Sequence, residues 1–229
     1  MMNTAANSEP TRLSVLISGF GPYDHVPVNP SQLVPKLLAE QGIAANPGDL
    51  DDPLRGVQLD VHAVTMPVSY AGSWAMLERE LERVQPDIVV ATGLKRAARG
   101  ILLERGALNR TDSTRPDADD VVADRGPIRE GAPAAYWTRL PLRAILNAFS
   151  KDHTLPASLT SDAGTFVCNA LFYQLQDWAA HQTRDVLTGF VSLPLINDEP
   201  HPQHGLPLER QVVAIRHVVR QSVAYLLDM

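Results

Sequence analysis

The chain contains a single cysteine, Cys168, set in the run Ser161-Asp162-Ala163-Gly164-Thr165-Phe166-Val167-Cys168-Asn169. A glycine-containing turn there delivers the sulfur to the start of an apolar-periodic helix. Unpaired backbone N–H groups and the helix dipole at such a place favour thiolate over thiol, which is what a nucleophile needs. The alternative is a small buried hydrophobe capping the core beneath the helix, and position alone leaves both open. Asp117, Asp119, Asp120 and Asp124 form the second cluster that could do chemistry. Their spacing matches no calcium loop, and a solvated loop is the expectation. Gly19-Phe20-Gly21 would open a dinucleotide fingerprint, but the third glycine falls on Asp24 and no Walker-type phosphate loop exists.

These residues need a scaffold, and the apolar pattern supplies one. Val15-Leu16-Ile17 reads as a buried strand running into the Gly19–Pro22 loop. Pro30 and Ser31 start a helix to about Leu38, with Pro35 a candidate kink. The stretch 42–56 reads as loop and Val57–Val64 as a strand. Trp74, Leu77, Leu81 and Val84 mark a helix ending before Pro86, and Asp87–Thr92 a buried strand closed by Gly93. A charged loop spans 110–133 and a helix follows Pro141 to about Ser150. Ala157–Thr160 is a short strand. A helix beginning near Cys168 carries Leu171, Phe172, Leu175 and Trp178, Val186–Leu193 is another strand, and Leu208–Leu226 the last helix. Strands alternating with helices imply an α/β domain with helices on both faces of a mixed, mostly parallel sheet. In such folds the loops at strand carboxyl ends hold the chemistry.

The 229 residues are 45% hydrophobic, enough for one sizeable core, and the net charge of −6 disfavours nucleic acid or an anionic membrane as partner. No apolar run reaches the ~18–20 residues that span a bilayer. Residues 1–12 lack the charge and apolar stretch of a secretory signal, so they read as a frayed terminus of a cytoplasmic protein. The domain proper is expected over 13–229.

Five segments in order resemble the pyroglutamyl-peptidase family of cysteine peptidases. They are Gly19-Phe20-Gly21-Pro22-Tyr23 with Asn29-Pro30-Ser31; Met66-Pro67 with Gln85-Pro86-Asp87; Gly100-Ile101-Leu102-Leu103-Glu104-Arg105 with Ala107 and Asn109; Gly131–Trp137 with Leu140-Pro141; and Ala163–Tyr173. The resemblance spans about residues 12–227. It implies a single three-layer αβα domain, no metal or cofactor, and a homo-oligomer, dimer or tetramer. It also implies removal of N-terminal pyroglutamate by attack of Cys168, with Glu104 orienting a catalytic base. Phe20, Tyr23, Phe166 and Val167 match residues that bind the pyrrolidone ring. Ordinary core packing is the competing account of these four, most strongly for Val167.

The resemblance breaks at the base. Where the family has histidine at the end of a strand, this chain reads Gly189-Phe190-Val191-Ser192-Leu193-Pro194. A serine hydroxyl cannot take the thiol proton at neutral pH, and losing a base from such a unit removes roughly 10⁴–10⁶ of rate. His25, His201 and His204 are the candidates to replace it. His181 lies about 20 Å along its helix from Cys168, and His62, His153 and His217 read as structural or exposed. Two more departures flank the site: Arg115 stands where the family has an apolar pocket residue, and Arg99 is displaced by one position. A cation there suits an anionic ligand. The expected partners are therefore a small peptide with a blocked N-terminus or a small acid. The expected activity is weak or shifted hydrolysis, with a silenced homologue that only binds as the alternative.

Overall fold

The computed structural model describes residues 9–151, 155–197 and 204–229. His153 and the Glu199-Pro200-His201-Pro202 segment, with the expectations placed on them, lie outside the described residues. In chain order the elements are β1 (Thr11–Phe20), α1 (Pro30–Gln41), β2 (Val57–Met66), α2 (Tyr70–Val84), β3 (Ile88–Leu94), β4 (Ile101–Glu104), β5 (Gly106–Leu108), β6 (Ala135–Trp137), α3 (Leu142–Lys151), β7 (Ala157–Thr160), α4 (Val167–Ala180), β8 (Leu187–Leu193) and α5 (Leu208–Leu227). Six strands form one sheet in the order β2-β1-β3-β8-β4-β7. β2, β1, β3 and β8 are parallel, β4 runs antiparallel to β8, and β7 is parallel to β4. The fold is α/β with a mixed, mostly parallel sheet.

Strand alternation divides the core in two. Val15, Ile17, Ile88, Val90, Val191 and Leu193 face α1, α3 and α5, whose Val34, Leu38, Ile145, Phe149, Ile215 and Val219 pack on them. Leu16, Val89, Ala91 and Phe190 face α2 and α4 through Leu77, Leu81, Leu171, Phe172 and Leu175. Each fully buried side chain of this kind stabilises the fold by about 1.5–3 kcal/mol. Deleting a central one such as Phe172 costs about 3–5 kcal/mol, because the close-packed sheet cannot collapse into the void.

Several expected boundaries move. β1 starts at Thr11, so two residues of the stretch read as frayed belong to the sheet. Pro35 lies inside α1, which continues to Gln41. β3 passes through Gly93 instead of stopping there, because Gly93 pairs with Ser192 of β8. The antiparallel pair β5–β6 was not legible, being three residues per strand. The loop 110–133 is as irregular as expected, but its acidic residues are not simply solvated: Asp117 is 3% exposed. Among the described residues no group of three or more His, Cys, Asp or Glu side chains could hold a metal ion, and no helix is long and apolar enough to cross a membrane.

Candidate active site

Side-chain parity puts the chemistry on the α4 face. Ile101 and Leu103 of β4 belong to the opposite core, so Leu102 and Glu104 point toward α4. Val191 and Leu193 likewise flank Ser192, which shares that face and lies in register with both Gly93 of β3 and Leu102 of β4. Cys168 comes down on the row from the first turn of α4. A Cβ built on Gly93 would stand 2.9 Å from its sulfur and 2.7 Å from the Phe190 ring. Only glycine lets the helix start approach the strand so closely. The sulfur, Ser192 and Glu104 therefore follow one another across β3, β8 and β4.

The turn that leads into Cys168 is built from local polar contacts. The Asp162 carboxylate accepts the Gly164 N–H at 3.0 Å, Gly164 takes a left-handed φ of 81°, and the Thr165 hydroxyl donates to the Asp112 carbonyl at 2.7 Å. Asn169 locks the helix to the neighbouring segment: its amide donates to the carbonyls of Leu108 and Arg110, and its carbonyl oxygen accepts the Leu108 N–H. The N-cap position, Phe166, gives α4 no side-chain hydrogen bond. The first-turn N–H groups thus remain available to a developing oxyanion.

The cavity beside the sulfur has a volume of about 320 Å³, and Phe20, Tyr23, Phe166 and Cys168 are among the residues that line it. Its first wall hangs from α1. The Asn29 amide donates to the Gly21 carbonyl, and the Ser31 hydroxyl accepts the Phe20 N–H. Gly19 runs so close to α1 that an added Cβ would stand 1.5 Å from the Ser31 carbonyl oxygen. Tyr23 and Phe166 stack with centroids 6.1 Å apart, and Tyr70 meets Phe166 edge-on at 5.5 Å. The Tyr23 hydroxyl donates to the Pro116 carbonyl. Val167 is fully buried in the apolar cluster and does not line the cavity, because it faces the sheet from the first position of α4.

Ser192 stands where the resemblance leads one to expect the base. Ser192 is 5% exposed and donates its hydroxyl proton to Glu104 Oε1 at 2.6 Å. Glu104 is fully buried, and its Oε2 has no hydrogen-bond partner among the described residues. Burial pushes the Glu104 carboxyl up, against the opposing pull of the Ser192 hydrogen bond and of Lys95, while Asp162 adds to the rise. The expected lowering of the Cys168 thiol is reversed. Burial raises it to about 12, Arg115 and Lys95 oppose the rise, and Glu104 reinforces it. Loss of water around the sulfur outweighs what the helix start offers.

No histidine lines this cavity among the described residues. His25 is exposed, with a left-handed φ of 62°. His204 meets the Arg96 carbonyl through Nε2 at 2.8 Å, which places it at the rim, beside backbone. His181 bonds the Asp177 carbonyl through Nδ1. Three features of the site escaped sequence reasoning. Lys95 and Arg96 line the cavity with Arg115, and a lysine–arginine pair following a buried strand was the available signal. Asp117 accepts the backbone N–H groups of Tyr70, Asp119 and Val121 at 2.9–3.0 Å, which fixes Arg115 and Pro116 against Tyr23. Asn169 acts through backbone contacts that sequence does not display.

A family model described as pyroglutamyl peptidase matches residues 13–224. The chain belongs to the pyroglutamyl peptidase family. The pyrrolidone-carboxylate peptidase of Thermococcus onnurineus is 31% identical over 92% of this chain and 99% of its own length. That of Bacillus subtilis is 34% identical over 91% and 88%. Among solved structures, Bacillus amyloliquefaciens pyroglutamyl peptidase I matches with a TM-score of 0.80 at 30% identity, covering 93% of this chain and 97% of that one. The pyrrolidone carboxyl peptidase of Thermococcus litoralis matches with a TM-score of 0.82 at 27% identity, over 94% and 96%. Within this fold the thiol of Cys168 sits at the start of α4 beside an aromatic-lined cavity.

Proposed function

We propose that the protein is a cysteine hydrolase that cleaves the amide following an N-terminal pyroglutamyl-type group, at a rate held low by Ser192. The observation that carries this reading is the Cys168 sulfur at the edge of an aromatic cavity, on the first turn of a helix whose N–H groups are uncapped. Membership of the pyroglutamyl peptidase family supports the substrate class. In the reaction, Sγ attacks the acyl carbon, the first-turn N–H groups hold the oxyanion, the amine leaves with the thiol proton, and water hydrolyses the thioester. Burial holds the thiol above its usual range, so the thiolate is the minor form at neutral pH. Pyroglutamyl-7-amino-4-methylcoumarin should release coumarin slowly, in a reaction abolished by Cys168→Ala. Release no faster than from Cys168→Ala would remove the hydrolase reading.

A second reading, a silenced homologue that binds a small acid, is favoured by the Ser192–Glu104 hydrogen bond, which closes the proton path on itself. It expects a pocket ligand to raise the melting temperature with no turnover at all.

A further inference from the structure

We propose that the cavity beside Cys168 selects an acyl group carrying its own free carboxylate, such as a glutaryl or succinyl amide, over a neutral lactam. This deepens the reading above and rests on the cavity being the acyl site. Lys95, Arg96 and Arg115 line the cavity, and among the described residues no aspartate or glutamate does. The carboxylates that pair with these cations are outside the lining. Asp24 Oδ2 takes Arg96 at 3.1 Å and Arg115 at 3.6 Å, and Asp162 takes Lys95 at 3.4 Å. Each guanidinium presents five N–H donors, more than such a contact uses, in a fork that matches a carboxylate.

The aromatic wall points the same way. The Arg115 guanidinium lies 4.1 Å from the Phe166 ring centroid and 5.4 Å from that of Tyr23. It covers aromatic surface on which a flat neutral ring would stack, and offers charge in its place. Arg115 is held there by stacking and by the clamped Asp117 two residues on. The uncapped start of α4 adds N–H groups and a positive dipole end at the same cavity. A volume of about 320 Å³ suits a small acyl group.

Hydrolysis of such an amide balances without a cofactor. Sγ bonds the acyl carbon, the C–N bond breaks with the thiol proton passing to the amine, and water then yields the dicarboxylic acid and the free thiol. Binding is tested first, on the Cys168→Ala protein, by calorimetry with glutarate, its uncharged counterpart glutaramide, and 2-pyrrolidone. Glutarate should bind about tenfold or more tightly than glutaramide, as charge-assisted hydrogen bonds require. Added salt should shrink the difference. Adding Arg115→Ile should erase the preference and strengthen 2-pyrrolidone binding; Lys95→Met, which leaves the aromatic wall intact, should weaken glutarate alone. Equal binding of glutarate and glutaramide, or a preference untouched by both substitutions, would overturn the proposal. Turnover by the wild-type protein separates it from the reading it rests on. Selective glutarate binding with neither glutaryl- nor pyroglutamyl-coumarin cleaved sinks the hydrolase and supports the anion site. Cleavage of the pyroglutamyl amide alone, without charge preference in binding, sinks the anion site only.

Discussion

Asp117 and Glu104 are both buried carboxylates beside the cavity, 3% and 0% exposed, and the chain treats them in opposite ways. Burial works to raise Asp117, but the N–H groups of Tyr70, Val121 and Asp119 together outweigh it and hold the carboxyl below its usual range. Glu104 receives one hydroxyl, keeps one oxygen bare, and is pushed up. A carboxylate used to fix backbone has its lone pairs filled by neighbours in the same loop and helix start. One that waits on a side chain from another strand is exposed to the loss of that single residue. Asp117 is complete as a structural clamp; Glu104 is an acceptor short of a donor.

The largest effect should come from supplying that donor. Ser192→His places an imidazole in the row between the Cys168 sulfur and Glu104. One ring N–H can satisfy the bare oxygen while the other nitrogen takes the thiol proton. A positioned general base contributes about 10²–10⁴, so kcat/KM on the pyroglutamyl coumarin amide should rise by about that much. Alkylation of Cys168 by iodoacetamide at neutral pH should quicken in parallel. An unchanged alkylation rate in a folded variant would mean that Glu104 and the sulfur do not share a site, and the contrast with Asp117 would lose its chemical meaning.

Next in size is removal of the clamp. Asp117→Ala leaves three backbone N–H groups without their acceptor, and each buried, unpaired group costs about 1–3 kcal/mol. Water can enter a loop more easily than a core, so the expected loss is about 2–3 kcal/mol in urea unfolding. Asp117→Asn keeps one acceptor oxygen and should lose less. Loosening of the Arg115–Phe166 contact should accompany it, read as weaker glutarate binding. If Asp117→Ala unfolds no earlier than the wild type, the hydrogen bonds at Tyr70, Asp119 and Val121 are not what holds the loop.

The contrast also shows what the sequence could display. Buried strands and amphipathic helices were readable from Val15–Ile17, Asp87–Thr92 and Leu208–Leu226, because each carries its own pattern. That Cys168 sits at a helix start was readable because its turn and helix are contiguous. Glu104 was placed by resemblance, and its parity with Ser192 became visible only once β4 was seen running antiparallel beside β8. Four residues of β4 hold too little pattern to announce a strand, let alone its direction. Asp117 looked like one member of a solvated acidic run, since backbone N–H acceptors leave no mark in sequence. The raised thiol was also hidden. Its helix start is local information, whereas the burial that opposes it depends on neighbours brought up by the tertiary fold, such as the close approach of Gly93 in β3.

The smallest effect is the one that tests the contrast most directly, since it sets the two carboxylates against each other by sign. Asp117 is depressed below its reference value of 3.8. The native state then binds fewer protons than the unfolded chain just below that value. Its contribution is fully present above pH 3.8 and is lost as pH falls through the native pKa. Glu104 is raised above its reference of 4.5, so its native state binds more protons. Its contribution is present below pH 4.5 and lost as pH rises through the native pKa. Urea midpoints across pH 3–8 should therefore show an acid-side fall that vanishes in Asp117→Asn. They should also show a fall on the rising side that vanishes in Glu104→Gln. Ser192→His should diminish the Glu104 slope, because an imidazolium beside the carboxylate brings its native pKa back down. A Glu104→Gln protein that keeps the wild-type slope above pH 4.5 would show that the bare oxygen is solvated in the native state, and that the two carboxylates differ only in their neighbours' names.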